Sequence, residues 1–351
     1  MRIVYSIFLC LFCSSFLRYD HQERGAFEVE MDNGGRFNVI ALKDEQGLID
    51  KYKANILAPV CEDRVCYDVN LIFNWNLIGE FVDFEVFSKE PLTKLDHIPF
   101  SPEDYQRLQG ILKNQDLNFV KIPAEELVVK SDKPKLDGYS GATKETVKKE
   151  VIEGALYTCY TLWHIANGAV VDSIKSHTVN ALNADLVSKI AKQKSQTANY
   201  FLINHLDTNG FKENIATILN SITESKGYFS KNAIERIPED LFGLSLVQDF
   251  IIINYSDFDY YTQKAILSKL ENVSNLPPTL SQFFIDQLST ESSFSNQKII
   301  SLVLKNIDKS IFETLVEHLN TNAIPVSEEN FVEIEKRNEE HLFNLKTLEK
   351  L

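Results

Sequence analysis

The chain has 351 residues, more than one compact domain usually needs, so two domains are expected. Its 44% apolar and 25% charged residues are those of a folded soluble protein. With 36 basic and 50 acidic residues the net charge is -14, which excludes nucleic acid as the main partner, because phosphate binding needs a basic face, and argues against docking on an anionic membrane surface.

The N-terminus reads as a targeting segment. Met1-Arg2 is a short positive start, and Ile3 to Leu17 follow without a charge until Arg18, Tyr19 and Asp20 close the run. Fifteen uncharged, mostly apolar residues suit the central region of a secretory signal and fall short of the roughly 20 of a membrane span. Residues 1–17 are therefore expected to be a signal peptide. It is either cleaved near Cys13-Ser14-Ser15, retained as an anchor, or lipidated at Cys10 or Cys13, against which stand the bulky Leu9 and Phe12. The chain is then exported, periplasmic or secreted, and associates with a membrane only through that N-terminal anchor. Outside the leader remain Cys61, Cys66 and Cys159. In an exported protein Cys61 and Cys66 read first as a local disulfide. The alternatives are a redox-active pair and a metal site using Cys61, Cys66, Cys159 and His164.

Residues 18–55 read as a polar entry segment with a turn at Asn33-Gly34-Gly35. From Val65 to Trp75 apolar residues alternate with Cys66, Asp68, Asn70 and Asn74, the pattern of a half-buried strand. Gly79 marks a turn, and Val82, Phe84 and Val86 alternate with Asp83 and Glu85, so the two runs read as an antiparallel hairpin. A loop follows from Pro91 to Pro99. Ser101-Pro102-Glu103-Asp104 is a helix start, with Ser as cap, Pro at the first position and acids in the first turn; Tyr105, Leu108, Ile111 and Leu112 give its apolar face. Leu127-Val128-Val129 is a short strand candidate. Val147 to Ile165 reads as one long helix interrupted at Gly154 and ended by Asn167-Gly168. On it Leu156, Tyr160, Trp163 and Asn167 share a face expected to pack on the hairpin.

Between the short strand and that helix lies Asp137-Gly138-Tyr139-Ser140-Gly141-Ala142-Thr143. Asp137-Gly138 is a turn pair, Gly141 permits backbone shapes closed to other residues, and Thr143 is placed to cap the helix that follows. By spacing alone the run supports a capped helix start, where a phosphate would also be welcome.

The run resembles the flavinylation motif of FMN-binding domains, which occur in subunits of membrane ion-pumping redox complexes and in other exported electron-transfer proteins. In that family a flavin transferase joins the FMN phosphate to the last Thr as a phosphoester. The resemblance implies FMN on Thr143, with Asp137 as the motif's acidic residue and Gly138, Ser140, Gly141 and Ala142 as its small-residue frame. It spans about residues 55–165 and includes the hairpin, loop and helix order upstream. It also implies a cofactor that carries the redox chemistry while the chain tunes and shields it, with Trp75, Tyr139 and Trp163 as candidates to stack on the ring.

Beyond about residue 170 helical periodicity takes over, with breaks at Asn209-Gly210, Gly227, Pro238 and Pro277-Pro278. Ser230–Ile234, Gln263–Leu267 and Gln297–Ile300 align, and Lys231, Lys264 and Lys298 fall 33 and 34 residues apart. That period fits one helix pair per repeat, stacked like HEAT-type modules; the alternative is an irregular helical bundle. The expected architecture is an α+β FMN-binding-like domain over 56–168, an all-α helical-repeat domain over 169–326 and a charged C-terminal helix over 327–351. The function expected is that of an exported electron carrier or redox subunit whose helical half binds a partner protein. The other reading is a non-enzymatic exported scaffold that keeps the fold and binds a partner.

Overall fold

In the computed structural model the described residues are 26–31, 35–60, 68–87, 89–129, 142–225, 228–274, 276–290, 293–305 and 308–340. The expected leader and the Cys61–Cys66 pair lie outside them. The chain divides into two compact units, the first reaching Asn180 and the second starting at Ala181.

The first unit is built on one antiparallel meander. Strands β1 (Ala26–Glu30), β2 (Arg36–Lys43), β3 (Ile49–Pro59), β4 (Asp68–Trp75) and β5 (Phe81–Val86) each pair with the next. The expected hairpin is β4 and β5. The expected polar entry segment is corrected: from Ala26 to Asn55 it supplies β1, β2 and most of β3. Alternation sets the faces. Tyr52, Ala54 and Ile56 of β3 are buried opposite Trp75, Phe73 and Leu71 of β4. Each alanine thus leaves room for a ring on the neighbouring strand, and Ala41 likewise lies opposite Tyr52. The other face is polar, with Arg36 paired to Glu28 at 3.3 Å and Glu30 at 2.9 Å.

After the sheet comes α1 (Pro102–Lys113). Its start is a capping box: Asp104 N–H donates to Ser101 Oγ at 3.2 Å, and Ser101 N–H donates to the Asp104 carboxylate at 2.9 Å. Leu108, Ile111 and Leu112 are buried. A two-residue ladder follows, β6 (Val128–Val129) with β7 (Ala142–Thr143). The long helix expected after it is two, α2 (Glu145–Lys148) and α3 (Leu156–Asn167); it ends at Asn167 as expected, and α4 (Ala169–Asn180) follows. The break comes from Gly154, whose φ of +75° lies in the left-handed region and whose carbonyl accepts from Leu95 N–H at 2.8 Å.

Two polar anchors fix these helices to the sheet. Trp75 Nε1–H donates to the Ala166 carbonyl at 2.8 Å. The Thr178 hydroxyl gives its one hydrogen to the Leu77 carbonyl at 2.7 Å, so it accepts from the Tyr52 hydroxyl at 2.7 Å; the Tyr52 oxygen then accepts from His177 Nδ1–H at 3.0 Å. Through these contacts α4 belongs to the first unit, which runs past the boundary expected at residue 168.

The second unit is helical throughout its described residues. Its helices are α5 (Ala184–Ala191), α6 (Gln196–His205), α7 (Thr208–Glu224), α8 (Phe229–Arg236) and α9 (Ser245–Asn254), then α10 (Tyr260–Leu270), α11 (Pro278–Asp286), α12 (Ser293–Val303), α13 (Lys309–Thr321) and α14 (Glu328–Glu340). Side chains of Asn183, Ser195, Asp207, Asp259 and Asp308 accept backbone N–H groups at five of the starts. Asn209-Gly210, expected as a break, sits in the first turn of α7, because Asp207 caps that helix and accepts from Gly210 N–H at 2.7 Å. From α5 to α12 each helix packs against the helix two positions further along.

Candidate functional site

Thr143 stands opposite Val128 at the end of β7, and Ala142 stands opposite Val129. Lys144 N–H donates to the Leu127 carbonyl at 3.1 Å, which carries the ladder one residue past Thr143. The expected helix start is therefore displaced. Lys144, not Thr143, is the N-cap of α2, it makes no side-chain capping bond, and α2 has four residues. One turn of helix aligns few peptide dipoles, so a phosphate here draws little from the helix itself. Thr143 is half-buried, and its hydroxyl has no hydrogen-bond partner among the described residues. Asp137, Gly138, Tyr139, Ser140 and Gly141 lie outside the described residues.

The backbone downstream of Thr143 is held by contacts from distant sequence. The Glu150 carboxylate accepts from Asn118 N–H at 2.8 Å, Asn118 Nδ2 at 2.6 Å and Phe119 N–H at 3.0 Å. Arg107 donates to the Lys149 carbonyl at 2.9 Å, and Val147 is fully buried. The Lys144 ammonium lies 3.9 Å from the Glu126 carboxylate, a distance at which an exposed pair is weak, so the cation stays available to a nearby anion. Glu150 leaves no signal in the sequence, because its partners are more than thirty residues upstream and no local pattern joins them.

The aromatic candidates separate by burial. Trp75 is fully buried and bonded to Ala166, so it belongs to the core. Trp163 is half-buried and donates to the Asn114 carbonyl at 2.8 Å, while Asn167 donates to the Leu112 carbonyl at 3.0 Å. The Tyr160–Trp163–Asn167 face of α3 thus meets the end of α1 and the loop after it, not the hairpin; the hairpin's Trp75 is met from Ala166. Cys159 is a free thiol, fully buried, and burial pushes its pKa up to about 11. A thiol so protonated is a poor nucleophile and a poor metal ligand.

One further feature is barely visible in the sequence. A cavity of about 510 Å³ opens between β5 and α1, lined by Phe84, Val86, Phe87, Pro91, Tyr105 and Gln109. Its walls are mainly apolar, and Gln109 Nε2 is already engaged with the Val82 carbonyl at 2.6 Å. Phe84 and Val86, half-buried on the face of the edge strand that carries Phe73 and Leu71 across the ladder, are its trace in the sequence. Among the described residues no group of three or more His, Cys, Asp or Glu side chains could hold a metal ion, and no helix is long and apolar enough to cross a membrane. Compared with protein-family models, curated proteins and solved structures, the chain has no match.

Proposed function

We propose that this chain is an exported flavoprotein, an electron carrier or redox subunit, with FMN joined through its phosphate to Thr143. The observation that carries the reading is the run Asp137–Thr143, which matches the flavinylation motif and ends on a half-buried threonine whose hydroxyl has no partner among the described residues. The neighbouring Lys144 is a cation suited to a phosphoester on that oxygen. When bound, FMN supplies one- and two-electron chemistry. The chain's part is to hold it: the β6–β7 ladder and the three bonds to Glu150 fix the backbone on both sides of the acceptor. A flavin transferase is the partner this attachment requires.

The second unit is proposed to be a HEAT-like repeat array that binds a partner protein. Lys231, Lys264 and Lys298 fall on α8, α10 and α12, helices that pack one on the next. Hydrogen bonds between helices recur near the same offset. Asn232 donates to the Tyr200 hydroxyl at 2.9 Å, Lys269 to the Ile237 carbonyl at 2.9 Å, and Asn330 to the Gln297 carbonyl at 3.0 Å, spans of 32, 32 and 33 residues. Such arrays present long surfaces to proteins or peptides. The second reading, an exported scaffold without flavin, is favoured by the short uncapped α2, which gives the motif's helix little hold on a phosphate.

Intact mass separates the two. The chain is expressed with a flavin transferase, alongside Thr143→Val. An increment of one FMN in the wild type that is absent from the variant is expected. Unmodified mass in both samples would sink the flavin reading and leave the scaffold.

A further inference from the structure

We propose that α9 and the first turn of α10 form the docking surface of the helical unit, and that its occupant is a basic, amphipathic helical segment of a partner protein. The inference deepens the partner-binding half of the function proposed above and rests on it.

Three observations converge on this stretch. The first is exposed apolar surface. Leu246 and Ile253 of α9 are 47% and 75% exposed, and Tyr260 and Tyr261 at the start of α10 are 49% and 59% exposed. The core does not need them, since α9 buries Val247, Phe250 and Ile251 on its inner side. Leu246, Asp249 and Ile253 follow the three- and four-residue spacing of one helix face, and at about 1.5 Å per residue Leu246 and Ile253 stand roughly 10 Å apart.

The second is continuity. Phe250 and Phe258 pack with ring centroids 5.9 Å apart, which folds the chain back at the corner between α9 and α10. Ile253 and the two tyrosines, whose rings meet edge-on at 5.5 Å, flank that one corner. Exposed aromatic and aliphatic side chains gathered in this way mark interaction surfaces rather than scattered surface residues.

The third is charge. From Ile237 to Gln263 the sequence holds five acidic residues and no Lys, Arg or His. Asp259 is committed to capping α10, where it accepts from Tyr261 N–H and Thr262 N–H at 2.9 and 3.1 Å. Glu239, Asp240, Asp249 and Asp257 are exposed and have no ion-pair partner among the described residues. An apolar stripe that carries Asp249 and is flanked in the sequence by further unpaired carboxylates is complementary to a helix with apolar residues at i, i+3, i+4 and i+7 and lysine or arginine beside them. The same charge repels an anionic membrane surface.

The test uses the full chain and a fluorescein-labelled amphipathic helix of leucine and lysine, with a counterpart carrying glutamate for lysine. Fluorescence anisotropy is expected to show binding of the lysine peptide, weakened by salt, and none of the glutamate peptide. The double variant Leu246→Ser with Ile253→Ser, and separately Asp249→Lys with Asp257→Lys, are each expected to weaken binding by about tenfold or more. Glu317→Lys, an exposed acid on α13, is expected to leave it unchanged. Equal weakening by Glu317→Lys would reduce the effect to overall acidity and overturn the proposal. So would undiminished binding in the double serine variant, or a concentration-dependent dimer abolished by it, which would make a second copy the occupant. The FMN mass increment is read on the same samples and is independent of peptide binding, so each reading fails separately.

Discussion

The Tyr52–His177–Thr178 chain shows what single residues decide in this protein. Tyr52 is fully buried, and burial pushes its pKa up to about 12, so it stays a neutral hydroxyl that relays one hydrogen bond into the next. His177 stacks on Phe27 with ring centroids 5.2 Å apart, and its pKa is lowered first by burial and then by the charge of Lys43. None of this was legible in the sequence, because Tyr52 and Thr178 are 126 residues apart and each looks like an ordinary polar residue in its own segment. The pH consequence follows from the sign of the shift. A folded-state pKa below the unfolded value of about 6.5 means the fold prefers the neutral ring. That contribution is complete above about pH 6.5 and is lost as the pH falls below it. Both tryptophans, Trp75 and Trp163, lie in the first unit, so tryptophan fluorescence in urea reports on it alone. The wild type is expected to lose stability from about pH 7 to pH 5, and His177→Gln, which cannot titrate, to lose less over the same range. An identical slope in the two proteins would refute the assignment to His177.

At the scale of elements, a segment is legible in the sequence where its side-chain contrast is high. The β4–β5 hairpin alternates large apolar with polar residues, and the α1 start carries every capping signal, so both stand where expected. Strand β3 is faint in the sequence because its inward residues include Ala54 and Ala58, which look unremarkable alone, while Leu57 points outward at 60% exposure. What makes Ala54 a core residue is Phe73 across the ladder, information no local window holds. The turns between strands offer a direct comparison. Gly47 and Gly79 both have a φ of +80°. A Cβ on Gly47 would meet nothing within 4 Å, whereas one on Gly79 would come within 3.0 Å of the Val171 carbonyl oxygen of α4. Gly47→Ala should therefore cost only the left-handed strain, about 1 to 2 kcal/mol. Gly79→Ala adds a backbone clash that α4 must move to relieve, and its unfolding midpoint in urea is expected to fall further. Equal midpoints for the two variants would mean that α4 does not pack on this turn as described.

For the whole molecule, the sequence's turn to helical periodicity beyond residue 170 matches a second unit that is helical in its described residues; the aligned lysines fall on α8, α10 and α12, and the bond from Asn330 to Gln297 spans 33 residues. The candidate flavin site was legible only as a motif, since the ladder and the Glu150 contacts that support Thr143 come from segments far upstream. Whether the second unit behaves as an array or as one bundle depends on how far a local defect spreads. Phe284 is fully buried in α11, which packs against α9, α12 and α13. Phe284→Ala removes a ring's worth of contacts and should cost about 3 to 5 kcal/mol locally. In an array, stability is close to a sum of repeat and nearest-neighbour terms, so the loss stays near its source. Amide hydrogen exchange of the variant is expected to quicken across α9 to α13 while α5 and α6, which pack mainly on each other and on α7 and α8, keep their protection. A bundle unfolding as one cooperative unit would instead lose protection in α5 and α6 by the same factor as in α11, and that result would exclude the repeat architecture on which a long partner-binding surface depends.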